Sequence, residues 1–457
     1  MPILGAYMVP HPPMIVPEVG RGSEWQIEAT RRAYALVAEE IARLSPETVI
    51  ISSPHAPTYR GRFHISQGAV GKGSFARFGA PEAAFREEFD RELAEAAVRL
   101  AGAADVPIKT GERGKDELDH GTMVPLWAIH QVFSGFRLVR VGLSWRSLED
   151  HYRLGQAIAR AVEETGRRVV FVASGDLSHK LQPYGPYGFD PDGPRYDERI
   201  MDVCGRGAFG ELLDFDEGFL ERAAECGHRS FLIMAGALDG LDVEARSLSH
   251  EDVTGVGYGV CAFRPLGPNG SRRFLEEREK RLREKRKGED AFVRLARRSV
   301  ESYVLKREIL SVPEGLPDEL LHTRAGAFVS IHEDGRLRGC IGTTGPTRSC
   351  LAGEIIHNAV NAAVRDPRFD PIEAHELDRL VIHVDVLTEP EEISSEAELD
   401  VRRYGVIVSR GPRRGLLLPD LEGVDTVEQQ VAIARQKAGI GPGEPVRLQR
   451  FEVIRHT

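Results

Sequence analysis

The chain has 457 residues, 41% of them hydrophobic and 28% charged. That length is too great for one ordinary core, so at least two domains of a globular protein are expected. A net charge of -10 disfavours a nucleic-acid binder that relies on phosphate neutralisation, and no apolar run approaches a membrane span.

The N-terminus, MPILGAYMVPHPP, lacks the basic flank and small-residue cleavage site of a signal peptide. Its apolar opening runs into His11 among prolines. Trp25 to Leu44 has apolar residues at helical spacing, and the β-branched Thr48 to Ser52 reads as a buried strand ending near His55. Ala83 to Leu100 is predicted as an amphipathic helix. His120, in Leu118-Asp-His-Gly121, is placed in a turn. Phe136 to Leu143 alternates like a strand, Leu148 to Glu164 is helical, and Arg168 to Ala173 is another buried strand, followed by His179. Phe231 to Leu238 reads as helix and Gly257 to Phe263 as strand. Such alternation predicts an α/β sandwich with helices flanking a central sheet.

The strongest boundary is at residues 266–290, which open with Pro/Gly turns and continue as a highly charged segment. This gives a first domain over 1–265, a charged linker over 266–288 and a second domain over 289–457. The second domain reads as α+β. Its helices are expected at Ala291 to Leu305, Leu351 to Val364 and Val427 to Ala438, and its strands at Gly326 to Ile331, Leu380 to Val386 and Gly405 to Val408.

The five cysteines (Cys204, Cys226, Cys261, Cys340 and Cys350) are odd in number and form no CxxC pair. That argues against a disulfide framework or structural zinc and for the cytoplasm. Histidines at strand ends carry more information, because sites in open α/β sheets form outside the carboxyl ends of strands. Two such histidines plus a carboxylate would suit a facial metal triad with open positions. Taken singly, a histidine beside prolines is more often a capping or surface group than a ligand, so spacing alone leaves both readings open. His130, His151, His228 and His250 sit in no comparable motif and read as structural.

The segments around His11, His55, Asp119-His-Gly121 and Ser174-Gly-Asp-Leu-Ser-His179, with Phe231 to Leu238, resemble the class III extradiol dioxygenases of LigB type and the related Memo proteins. The resemblance implies a metal held by His11 and His55, with His179 as acid/base and His120 contacting substrate or oxygen. For the third ligand, Ala224-Glu-Cys-Gly227 offers Glu225, as in the dioxygenases, or Cys226, as in Memo. Adjacent residues on a helix diverge by about 100°, so one of them is expected to bind, and Fe(II) chemistry favours Glu225. Cys226 would then pack as a small hydrophobe. The implied reaction is cleavage of a catecholic ring with O2 on Fe(II), copper or zinc being alternative metals. Rival readings are a Memo-like iron- or copper-binding protein without ring cleavage, and a metal-dependent hydrolase.

In the second domain, Leu337-Arg-Gly-Cys-Ile-Gly342 reads as a glycine-rich turn. Arg338 beside Cys340 could lower the thiol pKa, or Cys340 could simply be buried. This segment, with Ala363 to Phe369, Gly415 to Pro419 and Gln436 to Gly439, resembles the AMMECR-type domains. Together the halves resemble the fused form of the AmmeMemoRadiSam system. That implies a separate radical S-adenosylmethionine enzyme as partner, since this chain has no CxxxCxxC motif. Neither nucleic acid nor membrane is expected as a partner, and an oligomer is compatible with the sequence.

Overall fold

A computed structural model describes residues 2–110, 116–333, 336–421 and 423–457. The chain divides into two units, Met1–Arg278 and Glu279–Thr457.

In the first unit β1 (Ile3–Val9) leads through the short α1 (Pro17–Gly20) to α2 (Glu28–Leu44) and β2 (Thr48–Ser53). Strands β3 (Phe63–Ile65), β4 (Val70–Phe75) and β5 (Ala80–Glu88) precede α3 (Arg91–Gly102) and β6 (Ile108–Lys109). Then come α4 (His120–His130), β7 (Arg137–Gly142), α5 (Leu148–Thr165) and β8 (Val169–Ser174). Helices α6 (Asp192–Arg206), α7 (Glu217–Ala223) and α8 (His228–Ala237) precede β9 (Leu241–Glu251) and β10 (Tyr258–Pro268). Eight strands form one mixed sheet in the order β6-β3-β7-β2-β8-β1-β10-β9.

At its centre β7, β2, β8 and β1 run parallel. Their residues alternate between two cores, as a period of two requires. Ile50, Val139 and Phe171 pack with α3, α5, α6 and α8, whereas Val49, Ile51, Val170 and Val172 pack with α2 and α4. Each fully buried Phe or Ile contributes roughly 1.5–3 kcal/mol, so the two faces fix the register of the central strands. Parallel register brings the carboxyl ends of β1, β8 and β2 to one edge, where His11, Asp176 and His55 follow their strands.

Two expectations for this unit need correction. The predicted helix over Ala83 to Leu100 begins only at Arg91, because the Asp90 side chain caps the helix by accepting from Leu93 N–H. Before it, residues 80–88 pair with β4 as a hairpin and alternate in exposure. His120 is not in a turn: it is the first residue of α4, whose N-cap is Asp119.

Residues 274–287 form helix α9 (Phe274–Lys287), in which Leu275 is buried. The second unit contains α10 (Ala291–Lys306), α11 (Asp318–His322), β11 (Ala327–Glu333), β12 (Arg336–Gly342), α12 (Leu351–Val364) and β13 (Leu380–Leu387). It closes with β14 (Glu391–Ile393), β15 (Gly405–Arg410), β16 (Arg413–Leu417), α13 (Val427–Ala438), β17 (Arg447–Phe451) and β18 (Val453–His456). The strands make two four-stranded antiparallel sheets, β12-β11-β13-β18 and β14-β17-β15-β16. Helices α10 and α12 cover the first sheet, and α13 packs on the second. The α/β plus α+β assignment therefore holds. Leu337 to Gly342, however, is an edge strand and not a turn. A Cβ at Gly339 would lie 2.0 Å from the Ala362 carbonyl oxygen, so this glycine serves the close approach of α12.

Candidate metal centre

The backbone after β1 is anchored before any side chain is considered. The Tyr34 hydroxyl of α2 donates to the Pro10 carbonyl, and His11 N–H donates to Asp176 Oδ1 at 2.7 Å. His11 is thereby turned into the sheet edge, 2% exposed.

Its tautomer follows from a short chain of hydrogen bonds. The Ser174 hydroxyl donates to the Gly121 carbonyl at 2.6 Å, which uses its only proton. Ser174 Oγ must therefore accept at its 3.0 Å contact with His11 Nδ1, which makes Nδ1 the protonated nitrogen. The Nε2 lone pair then points into the cluster, the arrangement that outer partners impose on ligand histidines.

There His11 Nε2 meets His55 Nε2 at 3.0 Å and Cys226 Sγ at 3.7 Å. The three donor atoms lie within 4.8 Å of one another. An ion bound at ordinary Zn–N and Zn–S lengths separates such donors by about 2.9–3.6 Å for angles from 90° to tetrahedral, so the separations of 3.0 Å and 3.7 Å at His11 are close to what one metal ion needs. His120 completes the ring group, its centroid 4.0 Å from that of His55 and 5.3 Å from that of His11. On its other side lies Phe78, at 5.3 Å.

Asp119 supports both His55 and His120. It caps α4 through Thr122 N–H at 3.0 Å, accepts from Ser53 Oγ at 2.5 Å, and lies 3.7 Å from the guanidinium of the fully buried Arg140. Gly121 is needed here, since a Cβ would come within 2.4 Å of Ser53 Oγ.

Glu225 and Cys226 are not on a helix, as the sequence reading took them to be. They lie in the turn between α7 and α8, where Ala224 is left-handed (φ 53). The backbone of Gly227 crosses that of Gly175 so closely that a Cβ on Gly175 would meet Gly227 Cα at 2.1 Å. This crossing places Cys226 beside Asp176, whose N–H donates to Sγ at 3.3 Å. Glu225 points elsewhere: its carboxylate accepts from His228 N–H at 2.6 Å, at the start of α8. The Glu225 carboxylate, expected as the third donor, is thus engaged at the helix end, while Cys226 Sγ stands beside the histidines.

Burial sets the protonation of the cluster. It pushes the His11 imidazole well below its ordinary pKa, with the neighbouring histidines adding to the shift, and brings His120 and His179 down to about 4. His55 is also lowered by burial, although Asp119 opposes it. Neutral imidazoles with available lone pairs result. Burial raises Asp176 and Glu225 to about 7 and the Cys226 thiol well above its usual value.

His179 follows β8 with its backbone N–H on the Ala223 carbonyl and its ring 5.0 Å from Tyr187, which is 60% exposed. His179 forms a second donor set with Asp176 and Cys226, again within 4.8 Å. The structure therefore gathers His11, His55, His120, His179 and Cys226 and leaves out Glu225. The sequence reading had not singled out Asp176 or Ser174. Both lie in the segment Ser174 to His179, and their place between a strand end and a histidine was the available signal.

In the second unit the Arg338 guanidinium pairs with Glu376 at 2.7 Å and donates to the Asp370 carbonyl. Cys340 instead receives the Ser330 hydroxyl at 3.2 Å, and its N–H donates to Asp366. No helix among the described residues is long and apolar enough to cross a membrane.

The chain is similar to several known proteins. Protein CA_C1420 of Clostridium acetobutylicum is 38% identical over 466 residues, spanning 100% of this chain and 99% of its own. A protein of Thermotoga maritima is 52% identical over 171 residues, covering 37% of this chain and 98% of its own. Among solved structures, uncharacterized protein JW3007 from Escherichia coli K12 aligns at 16% identity and TM-score 0.40, covering 57% of this chain and 99% of that one. Residues 293–456 match AMMECR1, and residues 5–261 match the catalytic LigB subunit of aromatic ring-opening dioxygenase. The chain thus belongs to the LigB family and joins its LigB domain to an AMMECR1 domain.

Proposed function

We propose that the LigB domain is a metal-dependent redox module of the Memo kind, binding iron or copper through His11, His55 and Cys226 and acting without ring cleavage. The observation that carries this reading is the third donor. A thiol sulfur stands 3.7 Å from His11 Nε2, while the neighbouring carboxylate is engaged by a helix end. Thiolate with imidazole is a softer set than two imidazoles with a carboxylate, and it suits copper and thiophilic iron. A bound ion would supply one-electron redox chemistry at a thiolate-softened centre.

The surrounding residues have separable tasks. Ser174 holds the His11 tautomer, and Asp176 holds the His11 backbone. His179 presents a buried, unpartnered Nε2, so it can take or release a proton at the cluster. His120, neutral, stands between the His55 and Phe78 rings, with centroids at 4.0 Å and 5.3 Å.

A second reading is retained because the LigB family includes ring-opening enzymes: dioxygenation of a catechol at Fe(II), with His179 as acid/base. Metal analysis after anaerobic purification tests the ligand assignment. His11→Ala, His55→Ala and Cys226→Ala are expected to lose stoichiometric metal, whereas Glu225→Ala keeps it and loses only helix-end stability. Metal kept by Cys226→Ala and lost by Glu225→Ala would overturn the proposal. Oxygen uptake with formation of a ring-opened product from a catechol panel would decide for the second reading.

A further inference from the structure

The two faces of the β12-β11-β13-β18 sheet differ in kind, as alternation along each strand allows. Val329, Ile331, Ile382 and Val384 pack into the core with α10 and α12. Ser330, His332 and His383 project from the opposite face and are half-buried. Register sets Ser330 opposite Cys340 on one neighbouring strand and opposite His383 on the other. The Ser330 hydroxyl gives its only proton to Cys340 Sγ at 3.2 Å. A row of Cys340, Ser330 and His383 thus crosses three strands, with His332 beside it.

The two histidines do not read as an ordinary solvated surface. Their rings meet edge-on with centroids 5.3 Å apart, and in each ring Nδ1 is buried without a hydrogen-bond partner. A buried polar atom left unpaired carries a desolvation cost and calls for a partner. The charges around the pair are mainly positive. Burial lowers the pKa of both imidazoles, the His332 ring adds to the shift of His383, and Lys285 and Arg455 lower both further against Asp385. The Asp385 carboxylate is already engaged by the Arg455 guanidinium at 2.8 Å and 3.1 Å. Lys285, on α9, makes no ion pair among the described residues. No group of three His, Cys, Asp or Glu donors able to hold a metal ion forms here among those residues. Two unpaired imidazoles beside an unpaired ammonium suit an anion rather than a cation.

We propose that this face of the second unit binds a phosphoryl dianion, as inorganic phosphate or as a phosphate monoester, through the His332 and His383 imidazoles and the Lys285 ammonium. Each neutral ring has one N–H, and with that proton on Nδ1 both rings donate to the anion. The three terminal oxygens of a monoester match three donor groups, and its charge offsets that of Lys285. Cys340 lies two strands from His383, about 10 Å away by strand spacing. The organic part of a monoester lying along the row reaches the thiol, whereas free phosphate does not.

The test is equilibrium dialysis of the metal-stripped full chain against radiolabelled inorganic phosphate and, separately, phenyl phosphate. Saturable binding is expected in the wild type. His332→Gln, His383→Gln and Lys285→Gln should each weaken it about tenfold or more, the loss expected for one hydrogen bond to a charged group. Lys287→Gln should leave it unchanged, since that ammonium pairs with Glu284 at 2.8 Å. Lys285 is exposed, so its variant keeps the test open should a histidine variant unfold. Alkylation of Cys340 by iodoacetamide, mapped by mass spectrometry, separates the two sources of the anion. Protection by phenyl phosphate alone marks a monoester site, and protection by neither, with binding intact, marks a site for free phosphate. No saturable binding by the wild type would overturn the proposal. Binding unchanged in Lys285→Gln and in both histidine variants would overturn it as well, by locating the anion elsewhere. Loss of one equivalent of bound zinc in His332→Gln relative to the wild type would overturn it in favour of a cation.

Discussion

Replacing Gly175 by Ala tests whether a backbone crossing builds the metal centre. The new Cβ would fall 2.1 Å from Gly227 Cα. Non-bonded carbons rest at about 3.5–4.0 Å, so the two chains must part by roughly 1.5 Å. Asp176 and Cys226 are the next residues on either side of this contact, and Asp176 N–H already holds Sγ at 3.3 Å. Displacing Cys226 by that amount along the contact takes Sγ from 3.7 Å to about 5 Å from His11 Nε2. One metal–nitrogen and one metal–sulfur bond placed end to end span only about 4.4 Å. A single ion could no longer touch both, and metal should be lost on desalting. The overpacking itself should cost about 1–3 kcal/mol, visible as a lower melting temperature. Gly102, where nothing stands within 4 Å of a built Cβ, provides the control: its Ala variant should keep both metal and stability. Wild-type metal content and melting in Gly175→Ala would refute the argument that this crossing positions the thiol.

Two further outcomes follow from hydrogen bonding and burial. Ser174→Ala removes the acceptor that fixes the His11 tautomer, so metal affinity should fall about 10–100-fold with the fold retained, and unchanged affinity by competition against a chelator would show that Ser174 does not orient the ring. His151 is fully buried, and burial lowers its pKa to about 3. The unfolded chain, with an ordinary histidine pKa near 6.5, then binds the proton first as pH falls. Full stability is present above about pH 6.5 and is lost between there and pH 3, by up to ~1.4 kcal/mol per pH unit. Other titrating groups cancel in a comparison with His151→Gln, whose unfolding free energy should fall less steeply over that window. Parallel pH profiles from urea melts would contradict this assignment.

The parts of the fold that were legible are those whose composition answers to one burial state. Thr48 to Ser53 is buried along its whole length and carries the β-branched run of a central parallel strand. Helix α5 declares itself by an apolar stripe, by Ser147 as N-cap and by Gly166 in the left-handed conformation at its end. What stayed hidden depends on partners distant in sequence. Strand β9, Leu-Asp-Val-Glu-Ala-Arg-Ser-Leu-Ser-His-Glu, is charged and half exposed at the sheet edge, and only its pairing with β10 makes it a strand. Residues 80–88 match a helical period over a few positions, but their hairpin partner β4 decides otherwise.

At the site, strand ends made His11 and His55 legible, because parallel strands in one sheet must deliver their carboxyl ends to one edge. The third donor was not legible by the same rule, since Glu225 and Cys226 are neighbours and either could face the cluster. The deciding constraint is local to α8. A helix start leaves backbone N–H groups without intrahelical acceptors, and here the carboxylate three residues before His228 supplies one. Moving Glu225 to the metal would strand that N–H near a fully buried histidine, while the Cys226 sulfur can accept the Asp176 N–H and still face the histidines. Gly227 before the apolar run from Phe231 to Leu238 marked where α8 begins, so the competition between capping and ligation was written in the order Glu-Cys-Gly-His. Capping takes the carboxylate because a short hydrogen bond to an otherwise orphaned N–H is available within the same turn, and the softer atom is left facing the histidines.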